Sequence, residues 1–200
     1  LAIVDDAEIM VRLRKIKSQA EIAKIAQAGA VATRAFARVP EIAQAGVPLE
    51  KVFRHFQMLL LEEGADWVPY LAGAAGQDGY YDVISPATEA PLMQGDILML
   101  DTGAVWDGYF CDFDRNFAVG AASAIAQLGH SSLIAAVDAG MAAAKPGAMM
   151  CDLFHAMAGV VAGDSDAVAN AGRLGHGLGM QLTEWPSIIP SDRTVLEPGM

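Results

Sequence analysis

Three aspartates lie close together in a strand-turn-strand pattern. Asp101 follows the apolar residues 97–100, and Asp112 and Asp114 follow the turn residues 103–108. Residues two apart in a strand point the same way, and opposed residues of an antiparallel pair share a face. All three carboxylates are therefore expected on one face. Like charges held this closely must bind a cation, become protonated or face water.

Two registers are compatible with this hairpin. A turn centred on 106–107 places Asp101 opposite Asp112, whereas a turn centred on 107–108 places Asp101 opposite Asp114. A solvated sheet face is the competing interpretation. Aspartate is disfavoured in strands, however, and the flanking residues of both segments are apolar. We therefore favour a metal site.

The segment Gly175-His176-Gly177-Leu178-Gly179 can supply a nitrogen ligand. Glycines let a backbone approach another element closely, and the imidazole then projects without steric cover. A lone histidine is weak support for a metal site. Together with three carboxylates, His176 makes a donor set suited to Mn, Co, Zn or Fe.

The elements that must position these residues are helices and strands mixed along one chain. Apolar spacing and capping residues predict helices, and branched or aromatic runs between turn residues predict strands. The helices are expected over about 18–38, 48–63, 121–144 and 149–162, and the strands over about 67–72, 80–84, 97–100 and 109–119. Helices around a strand-rich middle indicate an α+β fold rather than a doubly wound parallel sheet.

Composition excludes several classes of protein. The 200 residues are 54% hydrophobic, enough for a full core, and the net charge of −11 disfavours binding to nucleic acid or to anionic lipid. No apolar run approaches the roughly 20 residues that a bilayer needs, so no membrane association is expected. Cys111 and Cys151 are interpreted as reduced core residues, which favours a cytoplasmic location.

Four motifs follow one another along the chain: Leu100-Asp101-Thr102-Gly103, Gly108-Tyr109 with Asp112 and Arg115, the His176 segment with Glu184 and Pro186, and Glu197-Pro198-Gly199-Met200. In this order they resemble the signature of the pita-bread metallopeptidases, a family that includes methionine aminopeptidase, aminopeptidase P, prolidase and creatinase. Residues 13–36 also resemble the first helix of the catalytic domain in the prolidase-like branch, so the resemblance covers most of the chain.

The resemblance implies an α+β pita-bread fold around a two-metal site. Residues 1–200 are expected to form part of the catalytic domain, incomplete at the C-terminus, with 1–12 the end of an N-terminal domain or a linker. Asp101 resembles the carboxylate that holds one metal, Asp112 the carboxylate that bridges both, and His176 the lone histidine ligand. The family's two glutamate ligands would follow Met200, so metal is expected in the intact protein and the chain alone is expected to be inactive.

The chain departs from the family pattern in three places. The family's upstream histidine is absent from 81–85, Thr183 stands where a second histidine precedes Glu184, and Asp114 stands where threonine is more usual. The missing imidazoles normally contact substrate and transfer protons. We therefore assign Asp114, Thr183, Glu184 and Tyr81 to a possible substrate pocket and name no catalytic residue.

The expected function is hydrolysis of a C–N bond, similar to Xaa-Pro peptidases, in which water activated by two divalent ions attacks a carbonyl. One alternative is a creatinase-like hydrolase of a small non-peptide metabolite. Another is a binding protein that keeps the fold without turnover. The expected partners are a small peptide or another small molecule, and a possible homodimer.

Overall fold

A computed structural model describes residues 9–77, 86–161, 168 and 172–200. The chain divides into two compact units. Ala23–His130 forms the middle unit, and Leu1–Ile22 with Ser131–Met200 forms the two-segment unit. The predicted strand over 80–84 and the candidate residue Tyr81 lie outside the described residues.

Helices and short antiparallel strands are mixed along the chain, which confirms the α+β class. The helices are α1 (Ile9–Lys15), α2 (Gln19–Ala37), α3 (Val39–Ile42), α4 (Leu49–Glu62), α5 (Ala124–Ala143) and α6 (Met150–Val161). The strands are β1 (Leu71–Gly76), β2 (Ile97–Thr102), β3 (Val105–Trp106), β4 (Tyr109–Phe110), β5 (Phe113–Ala118), β6 (His176–Gly177) and β7 (Glu184–Ser187).

The main sheet of the middle unit has the strand order β1-β2-β5, with both pairs antiparallel. Asp101 faces Asp114 across β2 and β5, and β3 pairs with β4 in the same register. Asp107 and Gly108 form the turn with φ angles of 47° and 79°, the left-handed values that a tight hairpin turn favours. The register centred on 107–108 is therefore confirmed, and the alternative with Asp101 opposite Asp112 is wrong.

Aromatic packing holds α2 and α4 against the sheet. The Phe36 ring lies 4.7 Å from the Phe56 ring of α4, and 6.0 Å and 6.3 Å from the Phe113 and Phe117 rings of β5. Strand β2 is the middle strand, and its residues 98–100 are fully buried. Each large apolar side chain buried in this way contributes about 1.5–3 kcal/mol. The core therefore anchors β2, the strand that carries Asp101.

In the two-segment unit, β6 and β7 form an antiparallel hairpin in which His176 pairs with Ser187 and Gly177 pairs with Glu184. The register is irregular between His176 and Gly177. Helix α5, which spans the division between the units, buries only Ala136 and Gly140. Six of its large apolar side chains are at least half exposed: Ile125, Leu128, Leu133, Ile134, Val137 and Met141.

The four predicted helices are confirmed with small changes at their ends. The strand predicted over 67–72 is wrong in position, because β1 is Leu71–Gly76. The small residues of β1 allow it to pack closely against β2. At Gly73 there is no space for a side chain, because a Cβ there would lie 2.3 Å from the Met99 carbonyl oxygen. The strand predicted over 109–119 is interrupted at 111–112. Strand β3 lies within the residues 103–108 that were predicted as turn, and α1, α3, β6 and β7 were not predicted either. In the part of the chain that the structure describes, no helix combines the length and hydropathy needed to span a bilayer.

Candidate active site

The hydroxyl of Tyr70 joins two of the predicted metal-ligating carboxylates. It lies 2.6 Å from Oδ1 of Asp101 and also contacts Oδ1 of Asp112. Burial and these hydrogen bonds raise the pKa of Tyr70 far above its ordinary value, so the phenol keeps its proton. One proton cannot fully satisfy two carboxylates. Two acidic oxygens therefore converge on a single neutral donor.

Asp114 adds a third carboxyl group next to this pair. Partial burial and the negative charges of Asp101 and Asp112 raise the pKa of Asp114 to about 6, although Arg115 opposes this shift. The residue is nevertheless exposed to solvent, so water screens these interactions and weakens their effect on stability. Asp114 is the member of the group most open to water.

The backbone between Asp101 and Asp112 is held by close contacts. A Cβ on Gly103 would lie 1.7 Å from the Cys111 carbonyl oxygen, so only glycine fits this approach. The N–H of Ala104 donates to the Cys111 Sγ at 3.2 Å, and the N–H of Cys111 donates to the Ala104 carbonyl at 3.0 Å. These contacts fix the chain immediately before Asp112 relative to the chain immediately after Asp101.

Thr102 connects this hairpin to the segment that carries Tyr70. Its hydroxyl donates to the Tyr70 carbonyl, and Leu71 pairs with Thr102 in the β1–β2 ladder. The Thr102 side chain is buried, so losing the hydrogen bond of its hydroxyl would cost more stability than losing one at the surface. The position of Tyr70 over the two carboxylates thus follows from the pairing of β1 with β2.

His176 is part of β6 in the two-segment unit, whereas the three aspartates belong to the middle unit. Its Nδ1 lies 2.8 Å from the Gly177 carbonyl oxygen. Because a carbonyl only accepts, Nδ1 must carry the proton in this contact. In a neutral imidazole, Nε2 then keeps the lone pair that a metal ion requires.

Glu184 has a nearly buried carboxylate with several partners. It contacts the Arg14 guanidinium, lies 3.6 Å from Nζ of Lys17, and accepts from the Gln181 N–H at 3.1 Å. Thr183 is exposed, and its hydroxyl lies 3.4 Å from Nη2 of Arg173. Thr183 and Glu184 both line a cavity of about 180 Å³ in the two-segment unit, together with Met10, Val11, Arg14, Gln181 and Trp185.

The structure thus brings Asp101 and Asp112 together, places Asp114 opposite Asp101, and places Thr183 and Glu184 at one cavity. Across residues 9–77, 86–161, 168 and 172–200, no three His, Cys, Asp or Glu side chains are arranged as ligands around one point. The donor chemistry of the Tyr70 contact nevertheless fits a divalent ion, since such ions prefer clustered carboxylate oxygens. The assignment of Asp101, Asp112 and His176 as ligands stays a prediction.

Sequence reasoning missed Tyr70, Arg14 and Lys17. Tyr70 was included in a predicted strand without a role, because its contact with Asp101 depends on a pairing between distant strands. In the sequence, Arg14 and Lys17 are only two positively charged residues three positions apart. Nothing local identifies Glu184, 170 positions after Arg14, as their partner.

Comparisons with known proteins identify the family of this chain. The model of metallopeptidase family M24 matches residues 23–200. The "Probable dipeptidase PepE" of Mycobacterium tuberculosis is 30% identical over 194 residues, which are 96% of this chain and 52% of that protein. This chain therefore spans about half the length of that relative.

Two solved structures are similar in fold. The dipeptidase PepE from Mycobacterium ulcerans superposes with a TM-score of 0.89 at 28% identity, over 98% of this chain and 53% of that one. The prolidase from Pyrococcus furiosus superposes with a TM-score of 0.88 at 26% identity, over 98% of this chain and 58% of that one. The fold is therefore the pita-bread fold of these peptidases, and the chain belongs to metallopeptidase family M24.

Proposed function

We propose that the protein is a metal-dependent peptidase that hydrolyses the C–N bond of a small peptide. The observation that carries this proposal is the convergence of Asp101 and Asp112 on the Tyr70 hydroxyl. Two acidic side chains that approach one shared hydroxyl this closely repel each other, and a cation bound between them would relieve that repulsion. Membership of family M24 and the dipeptidase and prolidase names of the relatives support a dipeptide as substrate, with the Xaa-Pro class as its first candidate.

In this proposal Asp101 and Asp112 hold two divalent metal ions, with His176 as the nitrogen ligand. The two ions would supply a water molecule of lowered pKa and polarise the scissile carbonyl. The Nδ1 contact of His176 with the Gly177 carbonyl orients the ring, so that Nε2 is the nitrogen that would bind a metal ion. Mn, Co, Zn and Fe all suit this mixed oxygen and nitrogen set.

The exposed Thr183 and the cavity it shares with Glu184 support a substrate-facing role for this part of the two-segment unit. A threonine hydroxyl does not titrate near neutral pH and so cannot replace an imidazole as a general acid. We therefore expect turnover lower by about 10²–10⁴-fold than with a well-placed acid–base group. Asp114, beside the carboxylate pair, stays a candidate for the same substrate pocket.

A second candidate function is hydrolysis of a small non-peptide amide. Thr183 favours it, because a site without this imidazole is not committed to protonating a peptide leaving group. We also propose that the protein is located in the cytoplasm and that it forms a homodimer. The two buried, free thiols of Cys111 and Cys151 support the first, and the dimer stays a prediction from the family resemblance.

The metal content of the intact protein, as purified, tests the proposal. We expect about two divalent ions per chain in the active protein. The Asp112→Asn variant should lose most of this metal and its activity against a panel of Xaa-Pro dipeptides, other dipeptides and small amides. Asp107→Asn is the matched control, since this exposed turn residue pairs only with Lys24 among the ion pairs of the described chain, and asparagine accepts its positive φ.

Two outcomes would contradict the proposal. If the protein bound no divalent ion at equilibrium with added Mn²⁺ or Co²⁺, the fold would be serving a non-catalytic role. If Asp112→Asn in the intact protein left metal content and activity unchanged while Asp114→Asn removed both, the assignment of Asp112 as the bridging ligand would be wrong.

A further inference from the structure

The carboxylate of Glu184 is the centre of the turn that joins β6 to β7. It accepts from the Gln181 N–H and contacts both Arg14 and Lys17. It also packs directly on Gly179, where a Cβ would lie 2.9 Å from Oε2. This one carboxylate therefore fills the space inside the turn and links it to the chain around residues 14–17.

These charges are shielded from water. The side chains of Glu184 and Lys17 are 7% and 8% exposed, and that of Arg14 is 24% exposed. A buried charge that loses its partner is strongly unfavourable, so the three residues act as a unit. By contrast, Lys15, the neighbour of Arg14 on α1, pairs with Glu197, whose side chain is 54% exposed, and such pairs contribute little.

The β6–β7 hairpin needs an external anchor at its turn. Its strands contain two and four residues, and a two-stranded ribbon of this size is marginal by itself. The end away from the turn is held by two hydrogen bonds: Ile188 N–H donates to the Gly175 carbonyl at 2.8 Å, and Ser187 N–H donates to the side-chain Oδ2 of Asp192 at 3.1 Å. At the turn end, Glu184 provides the anchoring contacts.

Glu184 is also close to His176 in the ladder. It pairs with Gly177, the residue that follows His176 and whose carbonyl contacts the His176 Nδ1. The ladder is irregular at this step, so the local backbone is not constrained by regular pairing. A displacement of Glu184 would act first on its ladder partner Gly177, whose carbonyl contacts the imidazole.

We propose that Arg14 and Lys17 are positioning residues for His176. They hold Glu184, Glu184 holds the turn end of the hairpin and the Gly177 backbone, and the Gly177 carbonyl selects the ring orientation and tautomer of His176. The functional consequence rests on the proposed role of His176 as a ligand. The positioning itself concerns only contacts within the two-segment unit.

Nuclear magnetic resonance of the imidazole nitrogens tests this inference in the metal-free protein. In the wild-type protein with chelator present, His176 should show two well-separated ¹⁵N signals, as a ring held in one tautomer does. In the double variant Arg14→Met, Lys17→Met these two signals should shift and move toward each other as the tautomers exchange. The signals of His55, in the middle unit, should not change.

Three further variants complete the test. Lys15→Met removes one charge next to Arg14 on α1 and should leave the His176 signals unchanged. Arg14→Lys with Lys17→Arg keeps both charges and should restore most of the wild-type pattern. Glu184→Gln keeps the shape of the side chain but loses its charge, so it should change the His176 signals as the double variant does. If the double variant does not fold, Glu184→Gln tests the inference in its place.

An unchanged His176 pattern in the folded double variant, or in Glu184→Gln, would overturn the inference. Addition of Mn²⁺ to the wild-type protein addresses the proposed function separately, because a paramagnetic ion bound at His176 broadens its signals. If Mn²⁺ has no effect on them, the ligand role fails while the metal-free comparison still decides the positioning role. Where both hold, the double variant should bind Mn²⁺ about 10–100-fold more weakly.

Discussion

Asp101 and Asp114 lie directly opposite each other in the antiparallel pairing of β2 with β5. Like charges at opposed positions of a sheet destabilise it. Burial and this repulsion raise the pKa of Asp114 to about 6 from an ordinary value of 3.8. The folded state therefore binds this proton more tightly than the unfolded state does, so raising the pH from about 4 through 6 removes stability.

Asp114→Asn should remove this part of the pH dependence. In the metal-free protein the variant should melt a few degrees higher than wild type at pH 7.5 and close to wild type at pH 4, because the wild-type carboxyl is protonated there. Thermal unfolding from pH 4 to pH 8 in chelator measures this difference. Parallel curves for the two proteins across the whole range would show that Asp114 does not carry the repulsion.

Tyr70→Phe should destabilise the metal-free protein by about 1–3 kcal/mol, the typical effect of losing a buried hydrogen bond to a charged group. Urea unfolding at neutral pH in chelator measures it. A double-mutant cycle with Asp112→Asn should show a coupling of about 0.5–3 kcal/mol, because both changes remove the same contact. Additive effects would mean that the hydroxyl is not bonded to Asp112 in solution.

Gly103→Ala should destabilise the protein by more than about 2 kcal/mol, since its Cβ would meet the Cys111 backbone and the hairpin would have to open. Gly129→Ala is the matched control. Gly129 lies within α5 with open space around it, so alanine should stabilise the helix by roughly 0.5–1 kcal/mol. Equal effects of the two substitutions would contradict the close approach at Gly103.

Cys111 and Cys151 should resist alkylation in the folded protein. They are 3% and 9% exposed, and burial raises the pKa of the Cys111 thiol, which keeps it protonated at neutral pH. If reaction requires unfolding, iodoacetamide should modify them at least about 10³-fold more slowly than in urea. Rapid native labelling of Cys111 would instead show that the hairpin beside Asp112 opens locally.

Local patterns in the sequence predict much of this fold. Helical spacing of apolar residues identifies the long helices, and the Asp107-Gly108 turn is compatible with the observed register, although a competing turn centre stayed open. The strand predicted over 67–72 and found at Leu71–Gly76 shows that local sequence patterns do not place every strand. Five of the six residues of the strand Leu71–Gly76 are alanine or glycine, and Gly73 fits where β2 leaves little space beside Met99. Propensity scales do not contain that information.

The candidate site likewise combines contacts that local sequence patterns predict with contacts that only tertiary packing creates. The clustering of Asp101 with Asp114 follows from one hairpin and could be predicted. The contact of Tyr70 with Asp101 joins separate strands, and the contacts of Arg14 and Lys17 with Glu184 join opposite ends of the chain. Such pairings depend on tertiary packing, which composition and periodicity cannot specify.

The six exposed apolar side chains of α5 have a practical consequence for handling these 200 residues in isolation. Exposed apolar side chains favour association, because water is released when two such surfaces meet. We expect light scattering to rise with protein concentration and the dye ANS to fluoresce even where circular dichroism shows a native helix content. Loss of sample by aggregation therefore has to be separated from true unfolding in every stability measurement described above.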